Sequence, residues 1–271
     1  MDKIQKDINE ALETTRGWNI LVMIFVMPLF LGLCILAPQL AIGLGTSMSK
    51  NSITFLQPLT ELEYQLIIPE KVFGILFLVY WAMYMIIYII SKRNRIYAYL
   101  LNLLVLFTLI HLSIFGLILG LQFFVPFLII RIIYWLAYSV AVVYIIYSLI
   151  TKSYTRVFDI DKEKIKKYTN IILALWFINF IAGILISGFK NLLAHLLLAI
   201  LPIAPIFLII ILISLSKSTF STLFNLNAVN KNQEKYREEY GYTIEEWYGK
   251  KSKMYKEHVK NLKRDRGLFD F

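Results

Sequence analysis

The chain has 271 residues, 58% of them hydrophobic and 15% aromatic, and a mean hydropathy of +0.65, which excludes an ordinary soluble domain and points to a membrane protein. A formal net charge of +10 at pH 7 would by itself suggest nucleic acid. The basic residues, however, lie almost entirely outside the apolar runs and on alternate loops, which is a pattern of membrane topology, so no nucleic-acid partner is expected.

Residues 2–16 are polar with nearly balanced charge, and Ile4, Ile8 and Leu12 fall on one narrow helical stripe. This opening is unlike the basic n-region of a signal peptide, so the first apolar run is expected to stay as an uncleaved anchor. That run covers 18–45, and Pro28 and Pro38 predict a kink or break in it, with 37–45 already bending out of the bilayer. It also contains Cys34, the one cysteine, which excludes an intramolecular disulfide and a CxxC metal or redox site. A loop of mixed polarity, 46–71, follows. Spans over 72–90 and 96–120 flank the short basic sequence SKRNR. The fourth, from Pro126 to Ile150, contains a single full charge, Arg131. A basic loop, 151–169, with a helical turn from Asp161, precedes spans over 170–188 and 192–216. Pro202 and Pro205 lie near the middle of the last span, and a basic tail, 217–271, ends the chain.

Of the Lys and Arg residues, 24 fall on the face that holds both termini, three on the other, and one, Arg131, inside a span. The asymmetry holds at every loop and predicts N-in, C-in topology. The expected fold class is all-α: a polytopic, six-helix transmembrane bundle with a basic, partly helical cytoplasmic tail, in the plasma (cell) membrane. Its divisions are a cytoplasmic segment, 1–17, a transmembrane domain, 18–216, and the tail, 217–271. Five spans would result if the first or last run were broken.

All eighteen acidic residues lie outside these spans. Proton-driven carriers, many cation pathways and several intramembrane proteases rely on carboxylates in the membrane, so those mechanisms lose support. What the spans offer instead is Gln39, His111, Arg131 and His195. At 1.5 Å of rise per residue, Arg131 and His195 lie about 8 and 5 Å below the outer ends of their spans, and His111 about 13 Å. These four could line an outward-facing pocket for a carboxylate, phosphate or lipid head, with Arg131 as its charge. The competing reading has Arg131 snorkelling to the headgroups.

Asn102, Thr108, Ser113, Ser139, Asn179 and Ser187 suit hydrogen bonds between helices. Gly116 and Gly120 would let another helix approach closely, and Tyr80, Tyr84 and Tyr88 share one face that suits core packing.

In the tail, 234–240 reads as a short helix ended by Gly241. Thr243 and Glu246 form a T-x-x-E capping box that opens a second helix, weakened midway by Gly249. Trp247, Tyr248 and Tyr255, with Leu268, Phe269 and Phe271 beyond the helix, are the candidate contacts. They would meet anionic inner-leaflet lipids or a protein partner. No cofactor or metal is expected, and without H-E-x-x-H or G-x-S-x-G no enzyme is. The expectation is a non-enzymatic membrane component acting through partners, such as an accessory or assembly subunit of an export or secretion system, or an immunity-type protein. The alternative is a transporter or permease for an anionic or lipidic substrate at the Arg131 pocket.

Overall fold

A computed structural model describes residues 2–50, 59–125, 128–151 and 204–267, and part of 170–185. Every regular element among the described residues is helical. α1 is Lys3–Gly17; a π-helical turn, Val22–Val26, leads into α2, Met27–Lys50; α3 is Glu61–Gln65, α4 Glu70–Ser91, α5 Arg95–Leu121 and α6 Leu128–Thr151. After these come α7, Ala204–Lys231, α8, Gln233–Glu239, α9, Ile244–Tyr248, and α10, Lys253–Gly267. Among the described residues five stretches are long and apolar enough to cross a membrane: Val22–Leu44, Lys71–Ser91, Arg95–Leu121, Leu128–Thr151 and Ala204–Lys231. Those residues of the expected span over 170–188 that are described are helical, and the first half of the one over 192–216 lies outside the described residues.

α6 shows why these helices need lipid. Ile129, Ile132, Leu136, Val140, Val143, Tyr147 and Ile150 recur every three or four residues and are all exposed, from 44% to 74%. In water that stripe would cost about 25 cal/mol for each Å² of apolar surface, whereas hydrocarbon covers it without penalty. The five apolar helices among the described residues are thus compatible with a multi-pass membrane protein.

The contacts divide into two units. The first is Met1–Gly32, Ile75–Thr108 and Thr219–Phe271; the second is Leu33–Gly74 and Leu109–Ser218. In the first, the expected α1 stripe is buried: Ile8, Ala11 and Leu12 pack with Ile96, Tyr99 and Leu100 of α5, Leu226 and Val229 of α7, and Trp247 and Tyr248 of α9. Polar bonds fix the register of this core. The Asn225 amide donates to Asp7 at 2.7 Å, the Tyr99 hydroxyl to Glu10 at 2.8 Å and the Tyr240 hydroxyl to Asp2 at 3.0 Å.

The prolines of the first span do not break it, because side chains replace the donors they lack. Pro38 has no N–H for the Cys34 carbonyl four residues back. Ser113 Oγ of α5 donates to that carbonyl at 2.7 Å in the second unit. Gly116 makes room for the proline: a Cβ there would lie 2.6 Å from Pro38 Cβ, and one at Gly120 would lie 2.6 Å from Ala41 Cβ. The G-x-x-x-G is thus used within the chain. In the first unit, Met27 N–H reaches Val22 O in the π register, so Pro28 would be next in line to serve the Met23 carbonyl. The Trp81 indole donates to it instead at 3.1 Å. α2 accordingly runs unbroken through 37–45 and on to Lys50.

One further expectation changes, and α7 is described from Ala204 onward, with Pro205 inside it. Pro202 lies outside the described residues, as does the turn expected from Asp161. α7 also continues past Ser216 to Lys231, so the tail begins as a helix.

Candidate functional site

The Arg131 centre is built from a loop helix. Thr60 caps α3: its hydroxyl accepts from Glu63 N–H at 3.3 Å, and the Glu63 carboxylate accepts the Thr60 N–H at 2.9 Å. The same carboxylate takes two donors from α6. Arg131 and Trp135 are four residues apart, hence on one face. Arg131 Nη2 forms a buried salt bridge with Glu63, and the Trp135 indole donates to Glu63 Oε1 at 3.2 Å. Exposure is 4% for Glu63 and 1% for Arg131. Burial opposes the charge on Glu63, but the Thr60 N–H, the Trp135 indole and the Arg131 guanidinium overcome it and hold the carboxyl below the usual range. Phe115, Trp135 and Tyr138 pack ring to ring beside the pair, with centroids 5.9 to 6.1 Å apart.

The guanidinium expected to meet an external anion, or to snorkel to headgroups, is thus matched by a carboxylate of its own chain. Glu63 is the residue that sequence reasoning missed. Its signal was present, because Thr60-Glu61-Leu62-Glu63 repeats the T-x-x-E recognised in the tail. The other expected pocket residues engage separate partners. Gln39 Nε2 donates to the Ile68 carbonyl at 3.4 Å. The Ser216 hydroxyl donates to the Leu212 carbonyl at 2.6 Å, and His111 Nε2 lies 3.3 Å from that oxygen. His195 lies outside the described residues.

The second candidate region is the tail. The Thr243–Glu246 box opens α9 as expected, with the Thr243 hydroxyl accepting from Glu246 N–H at 3.2 Å. Gly249, at φ +79°, then ends the helix, so the single helix expected from Thr243 is two, α9 and α10. Trp247 and Tyr248, expected to meet a partner or the leaflet, are 0% and 7% exposed and belong to the core of the first unit. The Trp247 indole donates to Gln233 Oε1 at 3.1 Å and the Tyr248 hydroxyl to Glu234 Oε1 at 2.7 Å. Burial, then the Glu234 carboxylate, pushes the Tyr248 phenol up. The surface that remains is α10. Tyr255 is half-buried there, while Met254 (43%), Leu262 (45%), Lys253, Lys256 and Lys260 are exposed. Leu268, Phe269 and Phe271 lie outside the described residues.

Comparison with known proteins finds no matching family model, no matching curated protein and no matching solved structure.

Proposed function

We propose that the chain is a non-enzymatic component of the cell membrane, with six spans and both termini cytoplasmic, that acts through a protein partner docked on its tail. An accessory or assembly subunit of an export or secretion system, or an immunity-type protein, would have this form. The observation that carries the reading is the shared core of α1, α7 and α9. Termini that pack together lie on one side of the membrane, which requires an even number of crossings. With five candidate spans among the described residues, this supports a further crossing between 152 and 203. The excess of Lys and Arg on the terminal face supports assigning it to the cytoplasm. Once Trp247 and Tyr248 are spent on the chain's own core, α10 presents exposed lysines, with Met254 and Leu262 also exposed, a surface suited to an acidic partner.

The alternative, an anion carrier built on Arg131, loses support because Glu63 already neutralises that charge. The two readings separate in one experiment: copurification from membranes in mild detergent, using the intact chain and the Lys256→Glu/Lys260→Glu variant. The proposal expects an acidic protein partner that the variant loses. Reconstituted protein that carries an anion across liposomes unaided, in an Arg131-dependent manner, would sink it.

A further inference from the structure

Within the first unit, the C-terminal end of α1, the α4–α5 junction and the α9–α10 junction line a cleft of about 590 Å³. That is the size of a small-molecule site. Its walls carry Arg16, Lys92, Arg95, Lys250 and Lys251 against Glu245 and Glu246, a surplus of three positive charges, five cations less two carboxylates. Both acids have partners, one of them a cation of the same wall. Glu246 caps α9 through Thr243, and Glu245 pairs with Lys250 at 3.2 Å.

Two of the cations are held in place by the fold. Arg95 Nη1 donates to the Glu246 carbonyl at 2.6 Å. Its guanidinium lies against Gly249, where a Cβ would come within 3.0 Å of Nη2. Glycine suits 249 for its φ of +79°, which side chains with a Cβ adopt only with strain. Lys92 Nζ donates to the Trp18 carbonyl at 3.1 Å and sits 4.3 Å from the centre of the Tyr88 ring. Arg16 and Lys251 are exposed. Gathering this many like charges is unfavourable unless an anion joins them, and two guanidinium groups suit the paired oxygens of a phosphate. Ser91 and Arg95 terminate two candidate spans, which puts the cleft at the level of lipid headgroups.

We propose that this cleft binds a phosphate-class anion, either the phosphodiester of an anionic lipid headgroup or a soluble phosphate. The inference rests on the membrane-spanning build and not on the partner reading.

The test uses the full chain in detergent micelles, with phosphatidylglycerol and phosphatidylcholine scored by native mass spectrometry and inorganic phosphate as competitor. Phosphatidylglycerol should be retained over phosphatidylcholine. Arg16→Gln/Lys251→Gln should weaken retention by about tenfold or more. Lys256→Gln/Lys260→Gln removes the same charge from α10 and should change retention by less than about twofold, since neither lysine lines the cleft and exposed charges are screened by salt. Retention that millimolar phosphate leaves intact assigns the site to the lipid. Displacement by phosphate, with a raised thermal midpoint in its presence, assigns it to a soluble phosphate. Equal retention of the two lipids with no response to phosphate would overturn the proposal, and so would equal losses in the two double variants. Loss of a protein partner is read on α10 and leaves these outcomes unchanged, so the two proposals fail separately.

Discussion

Thr60–Glu63 and Thr243–Glu246 are the same four-residue device, each with an arginine beside it, and they end in different chemistry. In the first, the capping carboxylate is 4% exposed and also accepts Arg131 and Trp135. In the second, the Glu246 side chain is exposed, its carboxylate serves Thr243, and the arginine, Arg95, turns to the Glu246 backbone carbonyl. Both carboxyls lie below the usual range. For Glu246 the Thr243 N–H and hydroxyl do most of this, with Arg16 a minor contributor. The contrast shows that burial decides how a cap is used. A buried carboxylate must hold its cation, whereas a solvated one can cap alone and leave its arginine to face a cleft.

The sharpest way to break this comparison is to remove each carboxylate charge in turn. Glu63→Gln leaves Arg131 buried without its counter-ion and should cost about 3–5 kcal/mol, read as a lowered thermal midpoint in detergent. Glu246→Gln should cost about 1 kcal/mol or less, and equal losses would end the distinction. Replacing the whole pair, Glu63→Leu with Arg131→Met, should recover most of the loss and come within about 1–2 kcal/mol of the native chain, because no buried charge then stands alone.

Acid titration sharpens the point. The folded pKa of Glu63 is below its unfolded value, so its stabilisation is fully present above the unfolded pKa and is lost as pH falls through the folded one. The thermal midpoint should drop below about pH 4, and the drop should be shallower in Glu63→Gln. Smaller effects than that of Glu63→Gln come from the caps themselves. Thr60→Ala should cost about 1–2 kcal/mol and Thr243→Ala about 0.5–1 kcal/mol, by the same unfolding measurement.

The sequence by itself determined the elements whose cause is local. Apolar runs marked 71–91, 95–121 and 128–151 within a residue or two, because a helix crossing hydrocarbon needs a fixed length of apolar chain. The spacing of Ile4, Ile8 and Leu12 marked the buried face of α1, and T-x-x-E marked the start of α9, since helical periodicity and capping act over a few residues. Partner choice was not legible. Hydropathy gave Arg131 no counter-ion, because Glu63 stands 68 residues away on a loop helix that composition does not reveal. Pro38 looked like a break until Ser113, 79 residues on, supplied the donor that Cys34 O had lost. Trp247 looked like a contact for another molecule, yet the chain's own α1 and α7 cover it. These outcomes depend on which groups packing brings within hydrogen-bond reach, and only the tertiary structure decides that.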